Sequence, residues 1–257
     1  MKDLGFQLVR KHLKVEPESF YYAADRIGML VMQDMVNSGP YNFLGDTLAP
    51  NITFKKRSDM YLRHTDRKRK HFFIQHCKDT VTQLYNHPSI IAYTVFNEGW
   101  GQFESDRLYQ LMKSWDAHRL VDATSGWFAQ KKSDFDSEHI YFHNEKLRIG
   151  ERPLLLSECG GFGYSIPGHR YDEKKSMGYG SVDNTKDLMA QIRKMYLEMI
   201  YPAIARGMCG LVYTQLCDVE EEINGIYTYD RQVCKVDPQE MRRMNQQCAD
   251  ILRETCR

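Results

Sequence analysis

Two glutamates, Glu98 and Glu158, directly follow short apolar segments of strand length and stand next to glycines. Glu98 comes after the run from Ile90 to Phe96, and Glu158 comes shortly after Leu154 to Leu156. Barrel enzymes place their catalytic groups at the carboxyl ends of strands, which is the position these glutamates would hold. A single glutamate there is as easily a solvated or ion-paired acid. Two in equivalent contexts favour a function, because burying unpaired carboxylates is costly.

A pair of carboxylates in one cleft is what the hydrolysis of a glycosidic bond requires. One carboxylic acid protonates the leaving oxygen, while the other carboxylate attacks or stabilises the anomeric carbon. Glu98 and Glu158 are far apart in the sequence. Only a closed barrel would bring them face to face, so the chemistry depends on the elements around them.

Short apolar segments alternate with helical stretches along the chain, as in parallel β/α units. The pattern predicts seven strands, near residues 8, 31, 93, 121, 140, 155 and 213. We therefore predict an α/β fold, a (β/α)8 TIM barrel over residues 1–257 that lacks its first strand and has no separate second domain. The rival is an open doubly wound sheet, but no G-x-G-x-x-G sequence follows any predicted strand. The irregular stretch 37–65 is predicted to be a functional loop.

The composition of the chain argues against several kinds of partner and site. Lys and Arg total 35 against 34 for Asp and Glu, so nothing in the net charge suggests nucleic acid or an anionic membrane as a partner. The seven cysteines include no Cys-x-x-Cys pair, which fits reduced thiols better than disulfides or a zinc site. No apolar run approaches the roughly 20 residues of a membrane span, and no signal peptide is visible. We expect a cytoplasmic protein as written, although a longer parent chain would permit secretion.

Three motifs follow one another along the chain, namely Asn86-His87-Pro88-Ser89-Ile90, Phe96-Asn97-Glu98-Gly99 and Ser157-Glu158-Cys159-Gly160-Gly161, with further segments at 9–12, 25–31, 119–127 and 212–215. Their order resembles the catalytic barrel of glycoside hydrolase family 2, which includes β-galactosidases, β-glucuronidases and β-mannosidases. This resemblance implies a retaining mechanism in which Glu98 is the general acid/base and Glu158 the nucleophile, their carboxyl groups about 5 to 5.5 Å apart. Glu98 must then keep its proton near neutral pH, whereas Glu158 must be ionised.

The same resemblance implies supporting residues around the two glutamates. Asn97 corresponds to the family's Asn that bonds the sugar 2-hydroxyl, a contact that strengthens in the transition state. Tyr141 corresponds to a family Tyr that hydrogen-bonds the nucleophile. A structural role as a core Tyr is an equally good interpretation of this residue. Gln215 takes a position often held by Trp. Further candidates for substrate binding at strand ends are His12, Trp127 and His139.

The positions at which the sequence departs from the family pattern limit the range of substrates that we expect. Family glucuronidases carry an Asn-x-Lys pair after the last strand to hold the sugar carboxylate, where this chain has an acidic run from Glu220 to Gly225. That run would repel a uronate, so we expect an exo-acting β-glycosidase for a neutral sugar, with a β-galactoside as the first choice. The family's magnesium ligands have no clear counterparts around Val36 to Gly39, and we expect no required metal and no cofactor.

The predicted lack of a first strand keeps two functions open. A barrel without it would expose two sheet edges, which either a second copy of the chain or another partner would cover. The chain would then be a glycosidase of reduced activity, or a truncated, non-catalytic remnant that binds carbohydrate or a partner.

Overall fold

The computed structural model of the protein describes residues 1–36, 66–141, 144–174 and 180–256. Each of the seven predicted strands is found in these residues, whereas the predicted functional loop over 37–65 lies outside them. The chain divides into two compact units. The first unit is Leu8–Glu138, and the second combines Met1–Gln7 with His139–Arg257.

Four parallel strands form the sheet of the first unit and follow one another in chain order. Helices lie between successive strands, which is the repeated β/α unit that the alternating pattern predicts. The third strand is buried almost throughout, and this explains its unbroken apolar sequence. The elements are β1 (Leu8–Lys11), α1 (Glu18–Ile27), β2 (Leu30–Asp34), α2 (Arg67–Leu84), β3 (Ile90–Asn97), α3 (Ser105–Trp115) and β4 (Leu120–Ser125).

The segment Asn86-His87-Pro88-Ser89, which contributes to the family resemblance, fixes the entry of β3. Asp25 accepts a hydrogen bond from the Ser89 backbone N–H at 2.9 Å, and its other oxygen lies 2.6 Å from Nδ1 of His87. The Arg119 guanidinium donates to the backbone carbonyls of His87 and Ile90. These contacts hold the amino end of β3, so this motif positions the strand that leads to Glu98.

The second unit contains the remaining strands and helices. In its main sheet the order is β5 (Asp136–Ile140), β6 (Leu154–Gly160), β9 (Met208–Thr214), with β6 and β9 parallel. Its core is formed largely by apolar side chains of α4, the π-helical turn Tyr196–Ile200 and α6. The elements are β5 (Asp136–Ile140), β6 (Leu154–Gly160), β7 (Gly163–Tyr164), β8 (Ser181–Val182), α4 (Thr185–Met195), α5 (Tyr201–Ile204), β9 (Met208–Thr214) and α6 (Pro238–Thr255).

Within the described ranges, the structure has no helix that is both long and apolar enough to cross a membrane. The cytoplasmic location, the single domain over residues 1–257 and the partner at a sheet edge stay predictions.

Candidate active site

Glu158 lies near the carboxyl end of β6, where the pairing of β6 with β9 contains a bulge. Leu156 pairs with Leu211 and Cys159 with Tyr213, so β6 has one more residue than β9 between these pairs. Such bulges re-aim side chains and are common beside active sites. The residues on either side of Glu158 are buried while Glu158 itself is partly exposed. The bulge therefore separates this carboxylate from the core.

Tyr141 and His139, which belong to the same unit, contact the Glu158 carboxylate. The Tyr141 hydroxyl donates a short hydrogen bond to Oε2, and Nε2 of His139 lies 3.7 Å from Oε1. The His139 side chain is fully buried, and its ring meets the Tyr141 ring edge to face with the centroids 6.1 Å apart. The hydrogen bond from Tyr141 fixes the orientation of the Glu158 carboxylate.

Because Gly160 has no side chain, an aromatic ring packs directly against the backbone next to the bulge. Its φ is +89°, and a Cβ on this residue would lie 2.5 Å from Cε2 of Tyr213. The next residue, Gly161, donates its N–H to the carbonyl of Thr214 at 2.9 Å. The backbone thus leaves β6 in a conformation that only glycine adopts easily, with the Tyr213 ring in the space a side chain would take.

Substituting Gly160 by Ala is expected to destabilise the protein more than a glycine substitution in open space. Gly168→Ala is the matched control, because Gly168 also has a positive φ of +81° but a Cβ there would meet nothing within 4 Å. The control should cost about 1 to 2 kcal/mol for backbone strain alone. Gly160→Ala should cost about 1 to 3 kcal/mol more, because the Tyr213 ring must move. Urea denaturation of the two variants measures the difference, and equal losses would contradict the close-packing argument.

Gln215 directly follows β9 and anchors a small polar cluster. Its side-chain Nε2 donates to Oε2 of Glu222 and to Oδ1 of Asn224, each at 2.7 Å. Gln215 is half-buried, Asn224 is buried and Glu222 is exposed. We call Gln215, Glu222 and Asn224 the amide–carboxylate wall. It presents hydrogen-bonding groups and one negative charge beyond the strand that neighbours β6.

Glu98 in the first unit follows β3 with its backbone in the left-handed region, at φ +52°. Its N–H donates to the Ser125 carbonyl at the end of β4 at 3.0 Å. Residues other than glycine adopt this conformation uncommonly, and those that do cluster at active sites and other constrained positions. Gly99 has the same arrangement as Gly160: its φ is +78°, and a Cβ there would lie 2.4 Å from the Phe128 ring. Each candidate carboxylate is thus followed closely by a glycine with an aromatic ring packed against it.

A buried charged network orients Asn97, the residue before Glu98. Arg10 donates two hydrogen bonds of 2.9 Å to the Asp34 carboxylate and one of 2.7 Å to Oδ1 of Asn97. Nδ1 of His12 lies 3.3 Å from Asp34 as well. Burial alone would raise the pKa of Asp34, but the charge and hydrogen bonds of Arg10, together with His12, lower that pKa to about 2. With its oxygen held by Arg10, Asn97 can offer its amide N–H groups to a hydroxyl.

The sequence interpretation assigned no role to Arg10 or Asp34, although the structure joins them to Asn97 and His12. The signal in the sequence was a charged residue near the carboxyl end of each of two strands, Arg10 in β1 and Asp34 in β2. Such residues are seldom buried unless they are paired.

The structure places the predicted site residues in two groups, one in each unit. Glu98, Asn97, His12 and Trp127 belong to Leu8–Glu138, whereas Glu158, His139, Tyr141 and Gln215 belong to the other unit. The His12 side chain is 54% exposed, and Trp127 is 4% exposed just beyond β4. In the part of the chain that the structure describes, His, Cys, Asp and Glu side chains form no group of three or more that could hold a metal ion. The lack of a metal requirement stays a prediction.

A family model described as "Glycosyl hydrolases family 2, TIM barrel domain" matches residues 1–155. The match includes Glu98 and ends shortly before Glu158. No curated protein sequence is significantly similar to this chain.

Solved structures with a similar fold include three bacterial enzymes. A family 2 β-galacturonidase from Eisenbergiella tayi bound to galacturonate is 18% identical with a TM-score of 0.63, over 95% of this chain and 46% of that one. A β-D-glucuronidase from Dictyoglomus thermophilum is 14% identical with a TM-score of 0.63, over 96% and 45%. The Ruminococcus gnavus β-glucuronidase in complex with uronic isofagomine is 16% identical with a TM-score of 0.62, over 95% and 46%. The chain thus spans less than half the length of these proteins, and at such identities they show a shared fold.

Proposed function

This chain belongs to the glycosyl hydrolases family 2, TIM barrel domain family, and we propose that it is a retaining β-glycosidase acting by double displacement. The observation that carries the proposal is the setting of Glu158, which lies at a strand bulge and accepts a hydrogen bond from Tyr141. A partly exposed carboxylate held in this way suits a nucleophile. The conformation of Glu98 supports a second catalytic carboxylate, because a left-handed glutamate at a strand end is strained.

In the proposed reaction, the Glu158 carboxylate attacks the anomeric carbon while Glu98 gives its proton to the departing glycosidic oxygen. The bond to the leaving group breaks, and an ester forms between the sugar and Glu158. Glu98, now ionised, takes a proton from water, and the resulting hydroxide displaces Glu158 from the sugar. Two inversions give net retention. The separation of about 5 to 5.5 Å between the two carboxyl groups stays a prediction of this mechanism.

The other site residues are proposed to orient the sugar or the nucleophile. Asn97, held by Arg10, would donate to the 2-hydroxyl oxygen, and this contact gains strength as charge develops at the anomeric carbon. Tyr141 and His139 would keep the Glu158 carboxylate aimed at that carbon. His12, Trp127 and Gln215 are proposed to line the substrate site.

We propose a neutral sugar as the substrate, with a β-galactoside tested first. The amide–carboxylate wall supports this choice, because the Glu222 carboxylate would repel a uronate held at this position. The names of the solved relatives favour a uronide instead, since all three are uronidases. A panel of nitrophenyl β-galactoside, β-glucoside, β-mannoside, β-glucuronide and β-galacturonide decides between them. A preference for either uronide would contradict the neutral-sugar proposal.

A charge change in the wall should shift this preference. The double substitution Glu222→Asn with Asn224→Lys removes one negative charge and adds a positive one beside Gln215. We expect the ratio of kcat/KM for glucuronide to that for galactoside to rise at least about tenfold, since close charge pairs contribute more than 1.4 kcal/mol when they are desolvated. Glu221→Lys is the matched control, because it makes the same change of two charges within the acidic run without substituting a residue of the wall. A ratio that moves equally in both variants would indicate a long-range charge effect.

The second candidate is a non-catalytic protein that binds carbohydrate or a partner. It is kept because the chain spans less than half the length of its solved relatives. Saturable binding of a β-glycoside by calorimetry, with no hydrolysis of any member of the panel, would favour this candidate over the enzyme.

A further inference from the structure

Lys235 is a fully buried lysine that belongs to neither group of site residues. Its ammonium donates to Oδ1 of Asp218 at 2.6 Å and to the backbone carbonyls of Tyr164 and Ile223 at 2.9 Å each. The side chain is 0% exposed, and that of its partner Asp218 is 2% exposed. An ammonium group has three donors, so these three acceptors satisfy it completely.

Burying the Lys235–Asp218 ion pair costs desolvation free energy, so a gain in stability does not explain why the pair is present. Burial lowers the pKa of Lys235 and raises that of Asp218, and the hydrogen bond between them opposes both shifts. Well-packed apolar residues often replace a buried ion pair without loss of stability. Retaining the pair is therefore better explained by the geometry that it imposes on the backbone around it.

The acceptors of Lys235 come from the segments that follow the two paired strands of the candidate site. Tyr164 lies in β7, just after β6 and Glu158, whereas Asp218 and Ile223 lie in the loop after β9. The Ile223 carbonyl accepts from both the Lys235 ammonium and the Tyr164 N–H, at 2.9 and 3.0 Å. The ammonium thus joins the loop after β9 to the chain that leaves β6.

The loop after β9 is closed tightly on itself. Gly225 donates its N–H to Oδ1 of Asp218 at 2.8 Å, and a Cβ on Gly225 would lie 2.2 Å from the backbone of Cys217 and Asp218. Gln215 exchanges backbone hydrogen bonds across this loop, accepting from Ile226 at 2.9 Å and donating to Asn224 at 3.3 Å. Residues 215 to 226 therefore form one folded segment closed around Asp218.

We propose that Lys235 is a positioning residue that holds the amide–carboxylate wall in a preformed arrangement for the sugar. Ile223, which Lys235 binds, lies between the wall residues Glu222 and Asn224 in the sequence. Fixing its carbonyl fixes both neighbours relative to Gln215. If the wall is ordered before the sugar binds, no binding free energy is lost in ordering it, and KM is therefore lower. The role in sugar binding rests on the proposed function, whereas the ordering of the loop does not.

The test compares Lys235→Met/Asp218→Asn with the wild-type chain, because the double change leaves no unpaired buried charge. We expect the hydrogen-exchange protection factors of the Gly225 and Ile226 backbone amides to fall at least tenfold. The protection factors of core amides in β6 should change less than threefold. On the best glycoside of the panel, KM should rise at least tenfold and kcat should change less than threefold. Lys194→Met, on the exposed face of α4, is the control and should change none of these quantities.

Three results would overturn the inference: unchanged protection of the loop, an equal loss of protection in loop and core, or a loosened loop with unchanged KM. If the double variant does not fold, Lys235→Gln/Asp218→Asn keeps a neutral donor for residue 218, leaves no unpaired buried charge and is subjected to the same comparison. If the wild-type chain hydrolyses no glycoside, the proposed function fails and the role in sugar binding fails with it. Hydrogen exchange then still decides whether Lys235 orders the loop.

Discussion

Replacing Glu158 with Gln is expected to reduce kcat on nitrophenyl β-glycosides by a factor on the order of 10⁴ to 10⁶, the usual cost of removing a covalent nucleophile. An amide cannot form the glycosyl ester, so the first displacement stops. The fold should be retained, because Gln has nearly the same shape and its amide oxygen can still accept from Tyr141. Initial rates and circular dichroism of the two proteins measure both expectations.

The stereochemistry of rescue gives this prediction a second readout. In Glu158→Gly, added azide should enter on the face of the sugar that Glu158 would attack, and the product should be the α-glycosyl azide. Glu254→Gln on α6 is the control, since Glu254 is exposed and distant in sequence from the site segments. Turnover by Glu158→Gln within tenfold of the wild type would show that another group is the nucleophile.

The strands were predictable because each is a short apolar segment bounded by turns or helices. In β3 the run from Ile90 to Phe96 is nearly fully buried, so its composition alone identifies it. The strands β7 and β8, only two residues long each, carry no such signal. The identity of Glu98 and Glu158 as candidates was also available, because each stands just past an apolar segment and beside glycines.

The geometry that distinguishes these candidates could not be derived from the sequence. The bulge at Glu158 exists only relative to the register of β9, and register depends on residues some fifty positions away. The left-handed backbone of Glu98 is unexpected for a glutamate, so propensity argues against it. Lys235 appears in the sequence as an ordinary surface lysine, and only the fold brings three acceptors to it. Pairwise contacts between distant segments determine all three features.

Replacing Glu98 with Ala should give a loss that depends on the leaving group, which sets it apart from the loss at Glu158. For an alkyl or unsubstituted phenyl β-glycoside, kcat/KM should fall by about 10² to 10⁴, the usual contribution of a general acid. For a dinitrophenyl glycoside the fall should be much smaller, because this leaving group departs without a proton. Glu18→Ala, at the exposed start of α1, is the control and should leave both rates unchanged.

Azide then separates the two glutamates by the product that each variant forms. In Glu98→Ala the ester with Glu158 still forms, so azide attacks it from the face that water would use and gives the β-glycosyl azide. In Glu158→Gly the same anion gives the α-product. Opposite anomers arise because azide makes the first displacement in Glu158→Gly but the second displacement, on the glycosyl ester, in Glu98→Ala, and this two-step sequence is what defines a retaining enzyme. The same anomer from both variants, or a loss at Glu98 that is independent of the leaving group, would contradict the assigned roles.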